Sequence, residues 1–194
     1  GLDVKVVEAS GGVFTKEHTH EFQVLASGGE DTLFYCDQCD FAQNKEISEA
    51  KEGKMCPKCK KGEIAKKNGI EVGNIFQLGF HYSSKMKDAM FTDENGEKKP
   101  YYMGCYGFGL ARTLATVVEK YNDEKGIVWP KNVAPYLVHL ISLQKGEKAE
   151  KVYSALQAKG IEVLFDEREV SAGQKFADAD ILGIPVRLVV SEKT

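Results

Sequence analysis

At 194 residues, with 42% hydrophobic and 28% charged residues, the chain can form one large domain or two small ones around a real core. A net charge of −3 gives no global basic field for nucleic acid, and no apolar run approaches the ~20 residues of a membrane span. The five cysteines are no disulfide-scaffold count for this length, and the opening GLDVKVVEAS lacks the layout of a secretory signal. A reducing, cytoplasmic setting is expected.

The first two segments alternate in polarity. DVKVVEA and EFQVLAS read as strands of period two, joined by a loop at 10–19, and DTLFYC is a third short strand. From Asp37 to Lys67 the composition turns to Lys, Glu, Gly and Cys, so this stretch cannot build its own core and either needs a staple or stays disordered. GIEVGNIFQLGFHYS returns to β character, with Val72, Ile75, Phe76 and Leu78 apolar. The Asn-Gly of DENGEKKP is a turn signal, and a hairpin is expected between this strand and YYMGCYGFGL. After Arg112 the period becomes helical through Leu114, Val117, Val118 and Tyr121, and the stretch Asp123 to Gly126 ends the helix.

VWPKNVAPY is a proline-bearing connector, and a domain boundary is expected near 130–134. Beyond it the order is strand YLVHLISL, helix EKAEKVYSALQAKG, strand IEVLFD, helix GQKFADADILG and strand VRLVV, with Gly160 placed as a helix C-cap. Alternating elements with short connections imply a small α/β domain with right-handed crossovers. The chain opens inside one strand and closes just after another, which reads as a piece of something longer.

CDQC and CPKC give C-x2-C-x16-C-x2-C from Cys36, Cys39, Cys56 and Cys59. Each pair offers two thiolates from one tight turn, and four thiolates satisfy tetrahedral Zn²⁺ with no open position, so the expected role is structural. Cys105 lies outside this set, either a small buried hydrophobe or a pocket-lining residue.

YYMGCYGFGLART places Gly104, Gly107 and Gly109 in an apolar run that ends at Arg112. Two readings stay open. The glycines are bulge or close-packing positions and Arg112 a solvated helix start, or a flat ligand lies on the strand and the guanidinium meets a phosphate. Neither a P-loop nor G-x-G-x-x-G occurs. His139, inside an apolar strand, is expected to be a satisfied core residue, and nothing in the spacing of His18 or His81 requires a site. Trp129 and Pro130 are expected to pack the connector.

GCYGFGLARTL resembles motif 3 of the class II aminoacyl-tRNA synthetases, in the form found in bacterial-type prolyl-tRNA synthetases. Its flanks, IEVGNIFQLGFHYS and NDEKGIVWPKNVAPYLVHLI, are similar to the same enzymes. THEFQVLASGGEDTLFYCDQCDFAQN resembles the stretch after their motif 2, and DEREVSAGQKFADADILGIPVRLVVS their anticodon-binding domain. The resemblance implies an α/β (α+β) fold. Residues 1–131 would be the C-terminal part of a class II antiparallel sheet with a zinc-binding insertion at 36–67. Residues 132–194 would be an anticodon-binding domain that stops before its last strand.

The resemblance also implies roles. Arg112 would contact the ATP γ-phosphate, Gly107 and Gly109 would lie under adenine and ribose, and Glu30, Asp31 and Gln77 would belong to the ATP and Mg²⁺ region. His20, Glu21, Gly104 and Cys105 would line a proline pocket, and Asp166, Glu167, Arg168 and Lys175 would meet the tRNA anticodon. The reaction implied joins proline and ATP to prolyl-adenylate and then transfers the prolyl group to tRNA(Pro), in a family whose full-length members are homodimers. This chain departs from the pattern in lacking motifs 1 and 2, in carrying only the Cys₄ segment where an editing insertion stands, and in having Phe80 and His81 within the QLGTxYS motif. Without motif 2 the isolated chain is expected to be catalytically incomplete. A non-catalytic tRNA- or partner-binding module is the alternative; a zinc-ribbon DNA-binding protein is disfavoured by the negative charge and the lack of a basic recognition helix.

Overall fold

The computed structural model describes residues 1–15, 18–143 and 147–191. They form two compact units, Leu2–Thr116 and Val117–Thr194 with Gly1. Residues 16 and 17 of the expected 10–19 loop lie outside the described residues.

The first unit is built on one long strand. Strands β1 (Val4–Ala9), β2 (Thr19–Leu25), β3 (Asp31–Cys36), β4 (Ala42–Asn44) and β5 (Ile64–Gly79) are followed by a short hairpin of β6 (Met90–Thr92) and β7 (Lys98–Pro100), then β8 (Met103–Phe108). The main sheet runs β2-β1-β4-β3-β5-β8, with β2 pairing again onto β5. The 16 residues of β5 serve three antiparallel partners: β3 from Ile64 to Gly69, β2 from Gly69 to Ile75, and β8 from Gly73 to Gly79. Buried Val7, Leu33, Tyr35 and Ala42 form its core. The expected pairing of β5 with β8 is present, but the Asn-Gly turn serves the separate β6–β7 hairpin, where Gly96 takes φ 81°. The segment 37–67 also holds more order than its composition suggests, since β4 and the start of β5 lie within it and bury Ala42 and Ile64.

Helix α1 (Leu110–Lys120) springs directly from β8, so Arg112 lies in its first turn rather than before it. The second unit continues with β9 (Val138–Ser142), α2 (Glu147–Gln157), β10 (Val163–Asp166), α3 (Ala172–Leu182) and β11 (Val186–Val190). These strands form a parallel sheet in the order β10-β9-β11, as the alternating pattern requires. The central strand β9 is buried at all five positions, which is why it reads as a continuous apolar run. Val138, Leu140, Ala149, Val163 and Val190 form the core, with Val152, Tyr153 and Leu156 packed against it. Ser171 caps α3 by accepting from the Gln174 N–H, and Gly183, at φ 64°, closes its C-terminus.

Candidate functional site

The four paired cysteines converge. The sulfurs of Cys36, Cys39, Cys56 and Cys59 all lie within 4.8 Å of one another, with Cys36 to Cys59 at 3.8 Å and Cys39 to Cys56 at 3.7 Å. Two backbone amides turn toward the sulfurs, Gln38 N–H to Cys36 Sγ at 3.3 Å and Gly62 N–H to Cys59 Sγ at 3.4 Å. A side chain at Gly62 would place its Cβ 2.5 Å from Cys36 Sγ, so only glycine fits under the cluster. Lys60 adopts φ 57°, letting the chain reverse just after the second thiol of its pair.

Backbone N–H groups of Gly62 and Lys61 draw the pKa of Cys59 down to about 6. At Cys39 the Phe41 amide also favours the thiolate, but desolvation and the neighbouring sulfurs outweigh it and push the group up to about 12. The donor set, the amide-to-sulfur bonds and the spacing fit tetrahedral Zn²⁺.

The second constellation lies where β8 meets α1. Gly109 N–H bonds the Val72 carbonyl at 2.9 Å and Thr113 N–H returns to the Gly109 carbonyl at 2.7 Å, which starts the helix. Arg112 Nη1 then donates to the Glu71 carbonyl at 3.1 Å and to Glu71 Oε2 at 2.8 Å, while Asn74 Nδ2 donates to Glu71 Oε1 at 2.7 Å. Gly107 pairs directly with Asn74, and a Cβ there would stand 2.4 Å from Asn74 Oδ1. The question the glycine run poses is thereby partly answered: what comes close to the backbone at Gly107 is the protein's own amide. Glu71, Gly73, Asn74, Gly107, Gly109 and Arg112 line an open cleft of about 580 Å³. Arg112 is half-exposed, and among the described residues nothing takes its Nε or Nη2 donors. A planar cation over a floor of missing side chains can receive a phosphate-bearing, flat ligand.

An acidic group on β2 and β3 completes this unit's polar interior. The buried Gln23 amide donates to Glu21 Oε2 at 2.9 Å and to Asp31 Oδ2 at 2.5 Å. Burial pushes the Glu21 carboxyl up; the Gln23 and Asn44 amides oppose this, and the charges of Glu71 and Asp31 add to it. Glu21 and Asp31, which the resemblance gives to proline and ATP respectively, thus meet at one amide. His20, Glu30, Gln77, Gly104 and Cys105 are exposed, so Cys105 is no buried hydrophobe. Gln77 pairs with Gly104 across β5 and β8. Sequence reading missed Gln23, Glu71 and Asn74. Their available signal was a set of polar residues inside otherwise apolar strands, EFQVL and IEVGN.

In the second unit the four proposed anticodon residues divide. Arg168 grips buried Asp166 with two parallel bonds, Nε to Oδ1 at 2.9 Å and Nη2 to Oδ2 at 2.8 Å, and also reaches Asp178 Oδ2 at 2.8 Å. That guanidinium, chiefly, holds the Asp166 carboxyl below its usual range. Lys175 is buried, its ammonium donating to the carbonyls of Ser142 at 2.5 Å and Asp166 at 3.2 Å. The resemblance gives all four to the anticodon; the structure turns Asp166 and Lys175 inward and leaves Glu167 and Arg168 exposed beside a cleft of about 330 Å³. His139 is buried as expected but not satisfied, since its Nδ1 has no partner among the described residues.

Two family models match this arrangement. The class II core domain of the synthetases for G, H, P, S and T matches residues 3–121, and the anticodon binding domain matches residues 137–194. The chain belongs to the class II aminoacyl-tRNA synthetase family. Within that class its similarity lies with enzymes named proline–tRNA ligase. It is 50% identical over 161 residues to that of Dehalococcoides mccartyi strain CBDB1, covering 79% of this chain and 28% of the relative. For Persephonella marina the identity is 49% over 150 residues, covering 75% and 26%, and for Bacillus subtilis strain 168 it is 47% over 160 residues, covering 78% and 28%. The chain therefore spans just over a quarter of the length of the relatives it matches. Among the described residues no helix is long and apolar enough to cross a membrane.

Proposed function

We propose that this chain is the C-terminal part of a cytoplasmic proline–tRNA ligase, contributing the floor of its adenylate site and its anticodon-binding domain. The enzyme would join proline and ATP to prolyl-adenylate and pass the prolyl group to the 3′ end of tRNA(Pro). The observation that carries this reading is the Arg112–Glu71–Asn74 cluster over the Gly107 and Gly109 floor. Glu71 fixes one guanidinium nitrogen and leaves a fork of two donors for the γ-phosphate. Attack of a carboxylate on the α-phosphate needs positioning and charge neutralisation rather than a covalent enzyme intermediate. A preset arginine supplies both. Glu30, Asp31 and Gln77 remain proposed for the ATP and Mg²⁺ region, His20, Glu21, Gly104 and Cys105 for the proline side, and Glu167 and Arg168 for direct anticodon contact. Asp166 and Lys175 are better assigned to holding Arg168 and the strand ends in place. The Cys₄ centre would hold a structural zinc.

The division between the two functional parts is proposed near 131–132, in the gap between the two family matches.

The test is binding of Mg·ATP to the full chain by calorimetry, compared with Arg112→Ala. A loss of tenfold or more in affinity is expected, with zinc content unchanged. Equal affinity in the variant would remove Arg112 from the site. Proline-dependent ATP–pyrophosphate exchange by the chain alone is expected to be absent, and its detection would overturn the proposed incompleteness.

A further inference from the structure

The chain as a whole is acidic, but its charge is not evenly spread. Between Lys51 and Lys67 stand seven lysines against two glutamates, in a protein whose net charge is −3. The fold concentrates them further. Residues 53–64 close into a hairpin through Gly53 N–H to the Ile64 carbonyl at 2.9 Å, Ile64 N–H to the Lys54 carbonyl at 2.8 Å, and Cys56 N–H to the Gly62 carbonyl at 2.7 Å. The bridge Met55 to Glu63 lies within it. The cysteine centre pins that hairpin to the end of β3, so Lys54, Lys58, Lys60 and Lys61 project from a rigid knuckle rather than a floppy loop. Lys58 is committed to Asp40 at 2.7 Å. Lys51, Lys54, Lys60, Lys61, Lys66 and Lys67 are exposed and form no ion pair among the described residues. Beside them runs an open groove of about 750 Å³ whose walls include Phe41, Lys51, Lys54, Met55 and His18, with Met55 67% exposed.

Four thiolates around one Zn²⁺ carry two net negative charges, and lysines gather near such centres to offset them. The excess here is larger than that: between 51 and 67 seven lysines outnumber two glutamates and that offset together, and their ammonium groups point to solvent, while the sulfurs take their hydrogen bonds from the backbone amides of Gln38, Phe41, Lys61 and Gly62. A compact, rigid set of unpaired ammonium groups on an otherwise acidic protein matches a polyanion of fixed geometry. Point-charge lysines with no arginine fork suit contact with a phosphate backbone rather than readout of bases.

We propose that the lysine face of the cysteine knuckle is an RNA-backbone contact, a second tRNA-binding surface that adds sequence-independent affinity to what the anticodon-binding domain reads. This rests on the proposed function, which supplies tRNA as the ligand. The face would neutralise phosphates and release counterions, so its contribution is salt-dependent and blind to sequence.

The experiment uses the full zinc-loaded chain, the variant Lys54→Gln/Lys60→Asn/Lys61→Gln, and Arg168→Ala as a reference. Asparagine at 60 tolerates the left-handed backbone there, and zinc content verifies that the knuckle is intact. Binding of a tRNA(Pro) transcript and of a non-cognate tRNA transcript is followed by fluorescence anisotropy between about 50 and 200 mM salt. The triple variant is expected to lose roughly tenfold affinity for both RNAs and about two to three units of the slope of log K against log salt, at about 0.7–0.9 unit for each of three lost phosphate contacts. Arg168→Ala is expected to narrow the difference between the two RNAs with little change in slope. If the triple variant keeps the parent's affinity and slope, the knuckle is not an RNA contact and its lysines serve only the metal centre, while tRNA(Pro) preference in that same series leaves the proposed function standing. If the parent chain binds neither RNA, both fall together.

Discussion

The knuckle and the C-terminal sheet solve the same problem, holding a short chain in one shape, by opposite means. Between Cys36 and Ile64 the buried cluster is Cys36, Cys56 and Ile64, with Phe34, Phe41 and Ala50 against it. Two of those three buried groups belong to the Cys₄ set itself. The β9 sheet buries Val138, Leu140, Ala149, Val163 and Val190 and surrounds them with seven further apolar residues. One region is closed by donor atoms around a point, the other by area withdrawn from water. The difference predicts what each can tolerate: closed around four thiols, the knuckle can carry a dense set of surface lysines, and with the proposed structural zinc in place its stability is expected to rest on that metal.

Removing zinc is therefore the largest perturbation available. Structural zinc contributes roughly 10–16 kcal/mol of apparent binding free energy in isolated finger peptides, far more than this hairpin's apolar burial can supply. Chelation, or Cys56→Ser, is expected to abolish hydrogen-exchange protection from 36 to 64. The melt of the C-terminal unit is expected to stay put, read through Trp129, the chain's single tryptophan, which belongs to that unit. A Trp129 transition that moves with zinc would show that the two regions do not fold independently. Next in size is the converse. Leu140 is fully buried in β9, and Leu140→Ala is expected to cost about 2–5 kcal/mol in the Trp129-monitored unfolding, with one zinc still retained per chain. A loss below about 1 kcal/mol would mean the sheet is not held by its core.

The same contrast explains what the sequence could and could not reveal. Apolar periodicity and cysteine spacing are local signals, so the β-α-β-α-β order of the second unit and the Cys₄ set were legible without coordinates. The partners of charged side chains are not local. Asp166, Arg168 and Lys175 are given by the resemblance to one anticodon surface, yet the end of β10 and the first turn of α3 draw Asp166 and Lys175 under the surface and leave Arg168 outside as the clasp on Asp166. Gly107 is a comparable case. Its missing side chain was visible, but the neighbour that needs the room, Asn74, comes from β5, 33 positions earlier in the chain. Resemblance to motif 3 named Arg112; only the fold showed that Glu71 presets it.

The smallest of the expected effects tests that clasp. Arg168 holds Asp166 through two bonds, so the carboxyl titrates below its usual range. A group whose pKa is lower folded than unfolded adds stability that is fully present above the unfolded value, near 3.9, and disappears as pH falls through the folded one. Asp166→Asn removes that contribution. At neutral pH it is expected to destabilise the C-terminal unit by about 1–2 kcal/mol, a modest figure because Arg168 is half in water. The gap between the parent and Asp166→Asn, followed by Trp129, should be constant from about pH 8 to 5 and close progressively below pH 4. A gap that persists unchanged at pH 2 would mean the aspartate acts through packing around Lys175 rather than through its charge on Arg168, and the two inward residues would then have to be reassigned together.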